Sequence, residues 1–264
     1  QTYYSAIFVL PCSEYQVISS FVMTQTRTPY FTGRIARVTG ASRGIGAAAA
    51  KALARAGAHI VAMARTQDGL EELDDTIRSE THNSATLIPQ DLSDLEALDA
   101  LGPQLAEKFG HCDILVGNAG ILGTLTPVAH AEPGEFERVM RVNVHANQRL
   151  IRTLDPLLRQ SDAGRAVFVT SGIGVDLHMA YWGEYAASKG ALTAMIQSYA
   201  AETRQTNLCV NLLNPGPVAT SMLARAFPGG APFDHISKPE DLVPAFLDLC
   251  GPACARHGEV VEPV

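Results

Sequence analysis

The chain has 264 residues, 47% of them hydrophobic, and a formal net charge of −7 at pH 7. An acidic surface repels phosphate backbones, so this charge argues against nucleic acid as a partner. The length allows one large α/β domain or two small ones, and no Ser/Gly/Pro-rich spacer, charge block or internal repeat marks a linker inside the chain.

The first 22 residues differ from the rest. Their apolar stretch is interrupted by Pro11, lacks the basic segment of a signal peptide and is too short to span a membrane, so we expect no membrane partner. Met23 is followed by a polar lead-in to the first predicted strand. We predict that Met23 is the working start, that 1–22 form an extension outside the core, and that 23–264 form a single domain.

From about residue 33, short apolar runs alternate with longer helical patterns. The strands are predicted at 35–38, 60–64, 86–88, 114–116, 166–170, 209–213 and 259–261. The helices are predicted at 44–56, 67–80, 94–109, 133–158, 184–204 and 239–250. Repeated β-α alternation requires parallel strands joined by right-handed crossovers. The pattern therefore predicts an α/β fold with a doubly wound, Rossmann-type parallel sheet and helices on both faces.

A glycine-rich turn lies between the first predicted strand and helix, in the run Thr-Gly-Ala-Ser-Arg-Gly-Ile-Gly at 39–46. Gly40, Gly44 and Gly46 permit a tight reversal, let backbone N–H groups approach a pyrophosphate and let the helix pack closely on the strand. The spacing is GxxxGxG rather than GxGxxG, and the alternative is a purely structural turn. We interpret it as a dinucleotide site.

Tyr185 and Lys189 stand four residues apart on the fifth predicted helix, so their side chains project from the same face. An ammonium beside a phenol favours the phenolate, so we expect Lys189 to lower the Tyr185 pKa from about 10. That would make the phenol a proton donor and acceptor near neutral pH. The alternative is a helix-surface tyrosine with a solvated lysine.

The five cysteines, at 12, 112, 209, 250 and 254, lack the paired CxxC spacing of a zinc site. We interpret them as small apolar residues and predict no metal. Their pattern favours a reducing, cytoplasmic setting.

Several motifs in order resemble the short-chain dehydrogenase/reductase family over about 33–261. They are the glycine turn, Asn118-Ala119-Gly120, Ser171, Tyr185 with Lys189, and the run 214–218, Asn-Pro-Gly-Pro-Val. The resemblance implies hydride transfer between a nicotinamide and a carbonyl or secondary alcohol. It also implies a homodimer or homotetramer built through the helices near 133–158 and 184–204.

The resemblance assigns four catalytic residues. Tyr185 is the general acid/base, Ser171 hydrogen-bonds the substrate oxygen, and Lys189 lowers the Tyr185 pKa and holds the nicotinamide ribose. Asn143 resembles the asparagine that kinks a helix and holds a water in a proton relay; the alternative is an ordinary mid-helix asparagine.

The same resemblance assigns the cofactor contacts. Asp91 would accept from the adenine amine, or else serve as a residue at the start of a helix ahead of Asp94. Gly117 replaces a second asparagine that the family often has before Asn118. The complete cofactor-binding set is Gly40, Ser42, Arg43, Gly44, Ile45, Gly46, Arg65, Asp91, Asn118, Ala119, Gly120, Tyr185, Lys189, Pro215, Gly216, Val218 and Thr220.

The choice of cofactor depends on the end of the second strand. NAD-preferring relatives place an acidic residue where Ala64 stands, whereas this chain has a neutral residue followed by Arg65. Arg43 can converge on the same point, and two guanidiniums suit a phosphate dianion. We predict NADP(H), against the alternative that both arginines are solvated surface charges.

The substrate should meet Ser171, Tyr181 and Trp182, under a lid at 221–237. The apolar side chains of this lid, together with Tyr181 and Trp182, suggest an apolar or aromatic-tolerant pocket; they are Met222, Leu223, Phe227, Pro228 and Phe233. Tyr181 and Trp182 would equally serve as packing. Arg225 is the only basic residue between 221 and 237; it would meet a carboxylate or remain solvated.

Three functions remain open. The favoured one is an NADP-dependent carbonyl reductase or alcohol dehydrogenase acting on a small molecule. The second is a 3-oxoacyl-acyl-carrier-protein reductase, which needs a basic entrance that this acidic chain does not plainly show. The third is a non-catalytic NADP sensor or scaffold, which has no need for the Ser171, Tyr185 and Lys189 set.

Overall fold

The computed structural model describes residues 30–175 and 178–263, so the predictions for 1–22 and for Met23 lie outside the described residues. Within this part of the chain, seven parallel strands form one sheet in the order β3-β2-β1-β4-β5-β6-β7. They are β1 (Ile35–Thr39), β2 (His59–Ala64), β3 (Thr86–Pro89), β4 (Ile114–Gly117), β5 (Arg165–Val169), β6 (Cys209–Leu213) and β7 (Val260–Val261).

Helices connect these strands and cover both faces of the sheet. They are α1 (Gly44–Arg55), α2 (Gln67–Thr81), α3 (Leu95–Asp99), α4 (Leu101–Phe109), α5 (Pro133–Met140), α6 (Ala146–Gln160), α7 (Gly183–Thr203), α8 (Ser221–Ala226) and α9 (Val243–Cys250). A π-helical turn, Arg141–His145, joins α5 to α6, and a 3-10 turn, Pro239–Leu242, precedes α9. The predicted doubly wound architecture is confirmed.

Two apolar layers account for this packing. One lies between the sheet and α1, α2 and α9, and includes Leu53, Leu70 and Phe246. The other lies between the sheet and α4, α6 and α7, and includes Leu150 and Ile196. A strand that is covered by helices on both faces has a nearly continuous apolar sequence, and this pattern allowed all seven strands to be predicted.

The predicted helix at 94–109 is two helices that meet at Ala100. Gly102 lies so close to Thr153 of α6 that a Cβ would collide with its backbone. The Thr153 hydroxyl also donates to the Asp99 carbonyl and accepts from the Gly102 N–H. Tertiary contact with α6 therefore accompanies the break.

The strand order places a crevice at the carboxyl ends of β1 and β4, where the crossovers change direction. A ligand site is expected at such a switch point. Among the described residues, no helix has the length and apolarity to cross a membrane, and no cluster of three or more His, Cys, Asp or Glu side chains is arranged to hold a metal.

Candidate active site

A cavity of about 940 Å³ opens at the carboxyl ends of the strands. Its wall combines the turn after β1, the loops after β2, β3 and β4, the start of α7, and the segment from Asn214 through α8 to Phe233. Residues far apart in the sequence therefore face one space.

The glycine turn has the geometry that a close-approaching phosphate requires. Gly40 and Gly44 have φ values of +65° and +56°, which L side chains rarely adopt. A Cβ on Gly46 would collide with the carbonyl oxygen of Gly40. Asn118 closes the turn from β4, because its Nδ2 donates to the Thr39 carbonyl over 2.9 Å.

The Thr39 hydroxyl holds the start of the loop after β4. Its Oγ1 accepts from the backbone N–H of Asn118 at 3.0 Å and of Ala119 at 3.1 Å. Together with Gly120, these residues line the cavity as predicted. Gly117 has no room for a side chain, since a Cβ would collide with the ring of Phe168. The departure from two asparagines is thus a packing feature.

Arg43 and Arg65 both line the cavity next to Ala64, and both side chains are exposed. Neither forms an ion pair with a carboxylate of the described residues. Two unengaged guanidiniums beside a neutral strand end suit a phosphate dianion.

Asp91 lies in the loop after β3 and lines the cavity. Its Oδ1 accepts from the Ser93 N–H at 2.8 Å, whereas Asp94 caps α3 by accepting from Ala97. Burial raises the pKa of Asp91, but the hydrogen bonds from Ser93 and the nearby charges of Arg65 and Arg138 outweigh it, so the net pKa lies below its ordinary value. Asp91 is therefore an anion free of the capping role.

Tyr185 and Lys189 lie buried on one face of α7, with the Lys189 Nζ 5.7 Å from the centre of the Tyr185 ring. The ammonium donates to the Val169 carbonyl at 2.9 Å, and the phenol shares a hydrogen bond with Ser171. Ser171, Tyr185 and Lys189 all line the cavity. The predicted cluster is therefore brought together.

Burial controls the charges of this cluster. It raises the pKa of Tyr185 to about 12, and the hydrogen bond with Ser171 offsets only part of that effect. Burial also lowers the pKa of Lys189 to about 8. A net lowering of the Tyr185 pKa, as the Tyr-Lys spacing led us to expect, is not found, because desolvation by burial exceeds the effect of the hydrogen bond with Ser171. The Lys189 ammonium is directed at the Val169 carbonyl.

Asn143 occupies the π-helical turn between α5 and α6 and is fully buried. Its side chain accepts from the Ile121 N–H at 2.8 Å and donates to the Ile121 carbonyl and the Ser188 hydroxyl, both at 2.9 Å. Its backbone carbonyl accepts from Asn147 at 2.8 Å. The side chain ties α7 to the loop after β4, so Asn143 has the contacts of a positioning residue, and its predicted water relay stays a prediction.

The far side of the cavity includes Pro215, Gly216, Val218 and Thr220. The Thr220 side chain caps α8 by accepting from the Leu223 N–H. The sequence pattern predicted a lid at 221–237 but did not predict the helix α8 within it.

Trp182 lies against the reacting end of the cavity, where its ring packs edge-on against Tyr185 with centroids 5.8 Å apart. Tyr181 is 59% exposed, has a φ of +76° and lies outside the cavity. This placement does not support the predicted substrate contact, because Tyr181 turns the chain ahead of α7 and its carbonyl accepts from the Thr126 N–H.

Sequence reasoning missed Arg138 and Val142 and gave Asn214 no individual role, although all three line the cavity. Arg138 and Val142 stand four residues apart in the helical segment, a spacing that would have marked a shared face. Asn214 accepts from the Gly172 N–H at 3.0 Å and so supports the residue after Ser171. Phe227 and Phe233, which the sequence placed in the lid, also line the cavity.

A family model described as short chain dehydrogenase matches residues 34–229. The oxidoreductase YciK of Escherichia coli K12 is 38% identical over 229 residues, which is 86% of this chain and 90% of that protein. A short chain dehydrogenase of Shigella flexneri 2a complexed with NADP has a TM-score of 0.84 at 35% identity, covering 90% of this chain and 99% of that one. Another, of Escherichia coli CFT073 and complexed with NADPH, has a TM-score of 0.84 at 36% identity with the same coverage.

Proposed function

This chain belongs to the short chain dehydrogenase family, and from that premise we propose that it transfers hydride between NADP(H) and a carbonyl compound or secondary alcohol. The observation that carries the proposal is a single cavity lined both by the glycine turn and by Ser171, Tyr185 and Lys189. A nucleotide-binding wall and a proton donor that face one space suit reductive chemistry on a carbonyl.

The residues of the cavity fit NADP(H). Gly46 leaves the tight turn free of a Cβ that would collide with the Gly40 carbonyl. The N-terminus of α1, which begins in this turn, favours a negatively charged ligand. Arg43 and Arg65 would hold the 2′-phosphate, and Asp91 would accept from the adenine amine. When bound, the cofactor would supply the hydride.

Tyr185 is the proposed general acid for the carbonyl oxygen. Because burial raises its pKa to about 12, the phenol carries its proton at neutral pH. Ser171, which shares a hydrogen bond with Tyr185, would steady the same oxygen. Lys189, still mostly charged at neutral pH with a pKa of about 8, would stabilise the phenolate that remains after proton transfer.

Replacing Tyr185 by phenylalanine tests the proposal. Removing a general acid costs roughly 10²–10⁴-fold in kcat, so Tyr185→Phe should lose that much while its Kd for NADPH, measured by fluorescence titration, stays within a few-fold. Tyr199→Phe is the matched control, because Tyr199 lies on the same helix and bonds Asp155 away from the cavity.

Wild-type kcat in Tyr185→Phe would contradict the assigned proton donor. A wild-type protein that binds NADPH but reduces no ketone, aldehyde or acyl thioester would contradict the enzymatic function and favour a sensor or scaffold. Absorbance of NADPH across such a panel gives both readouts.

The family resemblance also supports a homo-oligomer formed through α5, α6 and α7, which light scattering would test. A cytoplasmic location is supported by Cys112, Cys209, Cys250 and Cys254, which are free thiols.

A further inference from the structure

We propose that the substrate is an uncharged carbonyl compound with a flat aromatic or bulky apolar group beside the carbonyl. This inference rests on the proposed function and names the substrate class of the same site. Its basis is the composition of the cavity wall around Tyr185.

Aromatic rings form a continuous wall from the catalytic helix to the segment after α8. The Trp182 ring contacts that of Tyr185, and Phe227 packs on Trp182 with centroids 5.7 Å apart. Phe233 packs edge-on against Phe227 at 5.4 Å. All four side chains line the cavity. Such a wall offers a ring-bearing substrate the offset and edge-to-face contacts that aromatic pairs prefer.

Aliphatic side chains complete this end of the cavity. Ile173, Met222, Leu223 and Ala226 line it beside the rings. The hydroxyls of Ser171 and Tyr185 are committed to one carbonyl oxygen in the proposed reaction. A polyhydroxylated substrate would therefore leave several hydroxyl groups without partners on this apolar surface, which is costly.

Charged side chains cluster at the opposite end. Among the described residues the cavity is lined by five. Arg43 lies in the glycine turn, Arg65 follows β2 and Asp91 follows β3, whereas Arg138 of α5 lies near Asp91 and is paired with Glu135 at 2.7 Å. The fifth, Lys189, directs its ammonium at the Val169 carbonyl. A carboxylate or phosphate on the substrate would lose its hydration at the aromatic end without gaining an opposite charge there.

Arg225 does not supply an opposite charge for a carboxylate or phosphate of the substrate at the aromatic end of the cavity. It is exposed and lies outside the cavity lining. The hydrogen bond from Arg138 holds the pKa of Glu135 in α5 below its ordinary value, and the charge of Arg225 adds a smaller effect in the same direction. Of the two alternatives for this arginine, the structure favours a solvated residue over a substrate contact.

A matched set of ketones tests the substrate class. Methyl 4-acetylbenzoate and 4-acetylbenzoate share a ring and differ by one charge placed far from the reacting carbon, and dihydroxyacetone is small and polar. With NADPH, we expect kcat/KM for the ester to exceed that of the carboxylate and of dihydroxyacetone by at least about 100-fold.

The variant Phe227→Ala should lower kcat/KM for the ester about tenfold or more and leave the Kd for NADPH unchanged. Phe109→Leu is the control, since Phe109 packs on His59 away from the cavity, and it should match the wild type. Equal kcat/KM for ester and carboxylate, or for ester and dihydroxyacetone, would overturn the substrate class and leave the carbonyl-reductase function standing. No turnover of any of the three would overturn the substrate class, and the panel of ketones, aldehydes and acyl thioesters would decide separately whether the carbonyl-reductase function stands.

Discussion

Lys189 is the buried cation of the reacting centre, and its titration should govern the pH dependence of catalysis. Burial lowers its pKa from 10.5 to about 8, so the ammonium is charged below pH 8 and loses its charge above it. Tyr185, with a pKa raised to about 12, remains a proton donor over the same range. We expect kcat/KM for carbonyl reduction to be level below pH 8 and to fall about tenfold per pH unit above it.

The measurement is kcat/KM from pH 6 to 10, which reports ionisations of the free enzyme. Lys108 is an exposed lysine on α4, so the variant Lys108→Met should keep the wild-type pH profile of kcat/KM. A profile that stays level to pH 10 would show that the charge of Lys189 does not limit the reaction.

Arg37 is a buried residue that the mechanism does not use. It lies in β1 with no exposed surface, and its Nη2 reaches only the sulfur of Met63 at 3.3 Å. Its Nε and Nη1 meet no acceptor among the described residues. Burial lowers its pKa to about 10, still far above neutrality, so the group stays a charged guanidinium in an apolar layer.

We therefore expect Arg37→Met to raise the free energy of unfolding by about 1–4 kcal/mol, because well-packed apolar residues often outperform buried charges. Urea denaturation measures the change. Arg55→Met, which removes an exposed pair with Glu80, should alter it by less than about 1 kcal/mol. Destabilisation in Arg37→Met would show that the guanidinium has partners in solution.

At the level of elements, the local sequence pattern predicted those strands and helices whose formation depends on nearby residues. Every strand was located from its apolar run, and α1, α2 and α7 from helical periodicity and flanking signals. The break at Ala100 was not predictable from local pattern, because contacts with Thr153 of a distant helix accompany it. The irregular turn at Asn143 was expected only from the family resemblance, since its contacts with Ile121 and Ser188 come from distant segments.

In the candidate site too, the sequence predicted features that depend on residue type and missed features that depend on the fold. Glycines and hydroxyls of the recognisable motifs do line the cavity, since those residue types follow from the expected chemistry. Trp182 lines the cavity and Tyr181 does not, and spacing along the chain does not tell which of two adjacent rings is buried. The direction of the Tyr185 pKa was also missed, because burial belongs to the folded structure.

The π-helical turn gives Asn143 a role that can be measured. Its side chain makes three buried hydrogen bonds, two to Ile121 and one to Ser188, and the Ser188 hydroxyl donates in turn to the Tyr185 carbonyl. Each net hydrogen bond contributes about 1 kcal/mol, so Asn143→Ala should lower the free energy of unfolding by about 3 kcal/mol. Because Tyr185 and Lys189 share the affected turn of α7, kcat should fall more than the KM for NADPH rises.

Asn147→Ala is the comparison for this element. It removes one bond, to the Asn143 carbonyl, and should cost about 1 kcal/mol. Equal losses of kcat in the two variants would contradict a specific positioning role for the Asn143 side chain.

Across the whole molecule, the carboxyl ends of the strands form the candidate site, whereas residues at the opposite end of the sheet stabilise the fold. The carboxyl ends of the strands line the cavity, whereas Arg165 lies at the opposite end, at the start of β5. Its guanidinium is buried like that of Arg37, but it donates to five backbone carbonyls, those of Gly164, Asn207, Gly251, Pro252 and Cys254. These bonds hold the segment after α9 against the sheet.

Arg165→Met should therefore act in the opposite direction to Arg37→Met. It leaves several buried carbonyls without a donor, and each unsatisfied group costs about 1–3 kcal/mol, so we expect the free energy of unfolding to fall by more than about 3 kcal/mol. Since Arg165 lies outside the cavity, kcat of the folded fraction, measured at low temperature, should stay within about twofold of the wild type. If both arginine variants shifted stability in the same direction, hydrogen-bond satisfaction would not be what separates a stabilising buried guanidinium from a destabilising one.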